Sequence, residues 1–223
     1  MTNQIEEILP RSEWEKVTIN ENAEPLIEIK ETRKLKLGNG FKNGYQPSFL
    51  VRKTVAKKLI ELSEKLPDYI NIVLIEGFRS LDHQEHEWWD CFMKLKEWHH
   101  DHSDEIIANM TDRFVARPGP KANHFSGGAV DVTLAYGNGE LLDMGTPYIS
   151  QINDKSLISK VPMLSGSITP QQDSNRFILR KMMASVGFVW YPGEWWHYCF
   201  GDRMWAVYTG KTKCLYGPTQ NFN

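Results

Sequence analysis

The chain has 223 residues, 41% of them apolar and 24% charged, with 26 basic and 28 acidic side chains for a net charge of −2. That length suits one large domain or two small ones, and the charge balance, without any basic block, gives a nucleic-acid partner no electrostatic footprint. No apolar run approaches the ~20 residues of a membrane span.

Residues 1–40 read as an irregular N-terminal extension, with a strand expected at PLIEIKE (25–31) and a Gly/Asn-rich loop at LGNGFKNGY (37–45). The start, MTNQIEEILPRSEWEK, lacks the charged-then-apolar pattern of a leader. Three cysteines, Cys91, Cys199 and Cys214, are odd in number and not in CxxC spacing. Together these point to a cytoplasmic protein, or a periplasmic one if a leader has been removed.

Val55, Leu59, Leu62 and Leu66 recur at spacings of four, three and four, which predicts a helix over 52–66 stopped by Pro67. NIVLIE (71–76) predicts a buried strand that runs into Gly77-Phe78-Arg79-Ser80, where Ser80 can cap a helix over 81–98. A helix follows over 104–115, then a strand at GGAVDVTLAY (127–136) and loop-like sequence over 141–172. NRFILRKMMASVG (175–187) predicts a helix capped by Asn175, with Ile178, Met182 and Val186 on one face and Gly187 at its end. FVWY, EWWHYCF and MWAVY close the chain as expected strands. Helices first and strands afterwards predict a single compact α+β domain over 1–223, with a central antiparallel sheet flanked by helices.

HFSGGAVD (124–131) carries a loop histidine and, seven residues on, a strand aspartate, with Gly127 and Gly128 between them allowing a close turn. EWWH adds His197 and, three residues earlier, Glu194. Catalytic zinc takes three such ligands and keeps a fourth position open, with a general base nearby. Positions three apart on a regular strand point to opposite faces, so Glu194 can join His197 only from an irregular start after Pro192-Gly193. The competing reading is an aromatic core strand with two incidental polar residues. HHDH (99–102) at a helix end, and His83 and His86 on a charged helix, read as solvated faces rather than metal sites. Trp88 and Trp89 read as core or pocket wall, and Cys199 as an apolar filler.

GFRS (77–80), HFSGGAVDVTL (124–134), LDMGTPY (142–148), NRFILRKMMASVGF (175–188) and EWWHY (194–198) follow one another in an order that resembles the zinc D-alanyl-D-alanine dipeptidases of the vancomycin-resistance type. The resemblance runs from about residue 40 onward. It implies one catalytic Zn²⁺ held by His124, Asp131 and His197, Glu194 as general base, Arg79 steadying the oxyanion, and Tyr45 on the substrate side. It also implies a small peptide substrate from peptidoglycan metabolism and a compact α+β fold. Two positions depart from the family pattern: Ala122 stands where a serine is usual and Ile149 where an aspartate is usual. The alternatives are a D,D-carboxypeptidase or L,D-endopeptidase acting on larger muropeptides, and a non-catalytic zinc-containing peptide-binding module.

Overall fold

The computed structural model describes residues 6–38, 44–119 and 122–219. In chain order it contains α1 (Arg11–Glu15), β1 (Thr18–Ile19), β2 (Leu26–Glu28), β3 (Leu35–Leu37), β4 (Leu50–Arg52), α2 (Lys53–Lys65), β5 (Ile70–Glu76), α3 (Leu81–Trp98), α4 (Asp104–Thr111) and β6 (Ala129–Tyr136). After a long connection come α5 (Pro170–Ser185), β7 (Val189–Trp190), β8 (His197–Cys199), α6 (Arg203–Tyr208) and β9 (Lys213–Cys214).

The main sheet has the order β3-β5-β6-β8-β7. Its β5–β6, β6–β8 and β8–β7 pairs are antiparallel, but β3 runs parallel to β5. The expected all-antiparallel sheet is corrected at this edge, because the β4–α2 crossover between β3 and β5 returns the chain in the same direction. Two further two-stranded pairs, β1–β9 and β2–β4, show that the stretch read as an irregular extension contributes strands. One face of the main sheet presents Ile72, Leu74, Val130, Val132, Leu134 and Tyr198 to a core shared with Val55, Leu59 and Leu62 of α2 and Leu179 and Met183 of α5. The other face carries the polar row described below.

α2 buries Val55, Leu59 and Leu62 as expected. α5 instead turns Leu179 and Met183 to the core and leaves Ile178 exposed, so the face expected from Ile178, Met182 and Val186 is corrected by one residue. Helix ends differ for local reasons. Ser80 accepts the His83 N–H and caps α3 as predicted. The helix expected from Asn175 begins five residues earlier, at Pro170. Thr169 and Gln172 form a capping box there, and proline suits the first helical position. Asn175 is therefore interior to α5 and buried, donating to the Asp143 carbonyl. MWAVY is helical rather than extended, because Asp202 accepts the Trp205 N–H and caps α6. Its buried Met204, Ala206 and Tyr208 alternate as strand residues would, so periodicity over so short a run could not separate the two states.

Arg176 on α5 fixes the long connection before it. The fully buried guanidinium donates to the carbonyls of Met144 (2.7 Å), Lys160 (2.7 Å) and Pro162 (2.6 Å). Replacing it with methionine keeps the apolar stem and strands three acceptors. Arg176→Met is expected to lower the unfolding free energy by about 3 kcal/mol or more, read from the midpoint of a urea titration.

Candidate metal centre

Three strands place one residue each in a continuous cross-strand row. Asp131 on β6 lies directly opposite His197 on β8 and opposite Glu76 on β5. Direct partners share a face of the sheet, so the three side chains emerge together. The row exists because of a β-bulge: β5 and β6 pair regularly up to Leu74↔Val132, and the register then shifts so that Glu76, one residue further than regular pairing would give, meets Asp131. Bulges re-aim side chains in this way beside functional sites.

His124 arrives from outside the sheet, on a short 3₁₀ turn, Asn123–Ser126, that ends at Gly127 with φ +71°. At that left-handed position a side chain would be strained, and an added Cβ would also strike the Leu26 side chain. The His124 ring donates from Nδ1 to the Gly77 carbonyl (2.7 Å), which leaves its Nε2 with a lone pair. That Nε2 lies 3.2 Å from His197 Nδ1 and 3.3 Å from Asp131 Oδ1, and the last two atoms are 3.0 Å apart. Bonds of about 2.0–2.1 Å to a tetrahedral ion place ligand atoms roughly 3.3 Å from one another, so the residues present fit zinc. Among the described residues, His124, Asp131 and His197 are the one group of three or more such side chains arranged to hold a metal ion.

The surroundings set the protonation states. Burial by itself would raise the Asp131 carboxyl, yet the adjacent His124 and His197 hold it well below the ordinary carboxylate range. Burial lowers His197 despite the nearby carboxylate, so its imidazole is kept neutral. An ionised aspartate and a neutral imidazole at His197 suit a divalent cation. Asp131 Oδ2 accepts from the Tyr148 hydroxyl at 2.7 Å, with Arg79 Nη2 3.5 Å away, so the two carboxylate oxygens have separate tasks. Burial, reinforced by Asp131, pushes the Tyr148 hydroxyl far above its usual value and keeps it a donor. The remaining His197 nitrogen, Nε2, lies 3.3 Å from Cys199 Sγ. Burial holds that thiol well above its ordinary value, so Cys199 supports the ring from the side away from Asp131.

Arg79 is buried. It donates from Nε and Nη2 to Glu76 Oε2 (2.8 and 2.5 Å) and from Nη1 to Gln84 Oε1 (3.1 Å). Burial opposes its charge, but the Glu76 carboxylate outweighs that cost and keeps the guanidinium protonated. Glu194 sits in the β7–β8 turn, and β8 itself starts at His197, so the irregular start that the Glu194–His197 spacing demanded is present. Trp195 anchors the turn by donating from Nε1 to Thr146 Oγ1 (2.9 Å) and from its amide to the Val161 carbonyl (3.2 Å).

His124, Asp131, His197, Arg79 and Glu194 all line one cavity of about 330 Å³. Ala122 and Ile149, the two departures from the family pattern, line it as well. Tyr45 does not. Its hydroxyl donates to Glu76 Oε1 (2.9 Å) and its ring stacks on His83, which sets it beside the carboxylate that holds Arg79. Sequence reasoning missed Glu76, Gln84 and Tyr148. The alternation of β5 gives no sign of the bulge, and Tyr148 lies in a segment read as loop.

A family profile described as "D-ala-D-ala dipeptidase" (Peptidase_M15) matches residues 42–215, well over half of the chain. The D-alanyl-D-alanine dipeptidase of Synechocystis sp. is 34% identical over 93 residues, covering 37% of this chain and 36% of that protein. The Escherichia coli protein of the same description is 34% identical over 77 residues, covering 34% of this chain and 37% of the relative. That of Streptomyces coelicolor is 33% identical over 124 residues, or 51% of this chain and 56% of the relative. The aligned stretch thus spans little more than a third of the length of the first two relatives.

Tyr148 donates to the outward oxygen of Asp131, and supporting hydrogen bonds of this kind are typically worth 10–100-fold in metal affinity. Tyr148→Phe is expected to weaken zinc binding by about that factor, measured by competition with a chromophoric chelator.

Proposed function

We propose that this chain, which belongs to the Peptidase_M15 family of D-Ala-D-Ala dipeptidases, is a zinc metallopeptidase that hydrolyses a D-Ala-D-Ala-type dipeptide or a related peptidoglycan peptide. The observation that carries this reading is the convergence of three lone-pair atoms within 3.3 Å of one another, in a cavity that Glu194 also lines. His124, Asp131 and His197 hold the ion. Bound there, zinc supplies a Lewis acid that polarises the scissile carbonyl and lowers the pKa of a water toward ~7.

Glu194 takes the proton of the attacking water and returns it to the leaving amine. Arg79 contributes positive charge where the tetrahedral oxyanion develops. Its contacts with Glu76 and Gln84 fix the guanidinium in advance, so little reorganisation accompanies the reaction. Tyr45 acts through Glu76 as a positioning residue. A binding module that used zinc only to capture peptide would have no need of a general base, which favours the enzyme. Three buried free cysteines suit a reducing, cytoplasmic setting, and among the described residues no helix is long and apolar enough to cross a membrane.

A second reading concerns the substrate's ends. Ala122 and Ile149 bring a methyl and an aliphatic chain to the cavity, where the family pattern has a hydroxyl and a carboxylate. Loss of the carboxylate favours a peptide without a free ammonium group, that is, a longer or N-substituted muropeptide cut by a D,D-carboxypeptidase or L,D-endopeptidase.

Release of D-alanine from D-Ala-D-Ala by the zinc-loaded protein tests the main reading. Glu194→Ala is expected to lower that rate by about 10²–10⁴-fold with zinc still bound; unchanged release would remove Glu194 as the base. Comparing kcat/KM for free D-Ala-D-Ala and an N-acylated peptide decides the second reading. Higher values for the acylated peptide support it, and a strong preference for the free dipeptide ends it.

A further inference from the structure

One wall of the cavity is supplied from the N-terminal side by Ile8, Leu9, Pro10 and Trp14. All four precede residue 42, where the family match begins. The segment is tied to the body of the protein. The Tyr208 hydroxyl donates to the Glu7 carbonyl (2.9 Å) and accepts the Leu9 N–H (3.4 Å). Trp14 meets Tyr191 edge to face with ring centroids 6.4 Å apart, and the Tyr191 ring stands 6.0 Å from that of His197. An apolar surface therefore begins one aromatic ring away from a metal ligand. Met204 adds to this part of the lining, and Ile8 remains 44% exposed.

The cavity is consequently lined by the polar catalytic cluster and by this apolar segment, with Arg113, Arg117 and Arg203 on its remaining wall. Ligand pockets typically combine a few placed polar groups with an apolar wall. The methyl of an alanine gains little from a surface built of Leu9, Pro10 and Trp14, whereas each further carbon of a larger side chain buries more apolar area there.

We propose that Ile8, Leu9, Pro10 and Trp14 form an apolar specificity subsite that receives a large apolar side chain of the peptide substrate, adjacent to the cleaved bond. This rests on the peptidase reading above and narrows its substrate class to peptides in which one residue at the scissile bond is bulky and apolar. The subsite determines which peptide is held; Glu194 and the metal cluster determine what is done to it.

The test compares kcat/KM of the zinc-loaded full-length protein for D-Ala-D-Ala, D-Ala-D-Phe and D-Phe-D-Ala, with Trp14→Ala and Leu9→Ala beside the wild type. One phenylalanine peptide is expected to exceed D-Ala-D-Ala by about tenfold or more. That preference should shrink by about the same factor in either variant, through KM rather than kcat. Zinc stoichiometry and melting temperature establish that the variants fold, and Trp14→Phe, which retains most of the apolar wall, should keep most of the preference. Ratios that stay the same in both alanine variants overturn the subsite. If none of the three peptides is cleaved, the peptidase reading fails separately, and calorimetric titration of the same peptides into zinc-loaded wild type and Trp14→Ala decides the subsite. Equal affinities for all three peptides overturn it, and a preference for a phenylalanine peptide that is lost in Trp14→Ala upholds it.

Discussion

The centre depends on Asp131 keeping its two oxygens apart in function. Oδ1 faces His124 and His197, while Oδ2 is occupied by the Tyr148 hydroxyl. A carboxylate free to rotate could turn either oxygen inward and would present no fixed donor. Held at the middle of a three-strand row, it cannot turn without breaking a buried hydrogen bond, whose loss leaves a polar atom unpaired.

Burying that arrangement is costly. Glu76, Arg79 and Asp131 are all within 5% of complete burial, and each charge removed from water costs several kcal/mol before its partners are counted. Arg79 offsets most of this by serving Glu76 directly and standing beside Asp131. The three together carry a net charge of about −1 in a medium of low dielectric. That surplus favours a cation beside Asp131, so the buried charges and the proposed metal support each other.

Two segments far apart in sequence reach the centre through one shared anchor. The connection before α5 carries Tyr148, and the β7–β8 turn carries Glu194. Trp195 joins them by donating to Thr146, and Arg176 holds the connection through three of its carbonyls. The outward oxygen of Asp131 and the carboxylate of Glu194 are thus positioned by parts of the same unit. A disturbance of the connection is felt at both.

The sequence alone offered a candidate donor set. A loop histidine, a strand aspartate after two glycines, and a glutamate ahead of a histidine made His124, Asp131, His197 and Glu194 candidates, and the resemblance to the zinc dipeptidases chose them over an aromatic core strand. The sequence itself determined α2, α3 and β5, where strong apolar periodicity and the Ser80 cap are local properties. Tertiary structure decided what local pattern does not encode. The parallel β3 edge follows from a crossover. The Asp202 cap of α6 is as local as that of Ser80, but it precedes a run whose apolar alternation suited a strand equally. The bulge that turns Glu76 toward Asp131 is set by strand register, so Glu76 and its link to Tyr45 were invisible in the spacing of residues. The same holds for Tyr148 and for the wall built by Ile8, Leu9, Pro10 and Trp14. Their roles come from contacts with residues that folding alone brings near, whereas the candidate ligands were legible because their chemistry is carried in the side chains themselves.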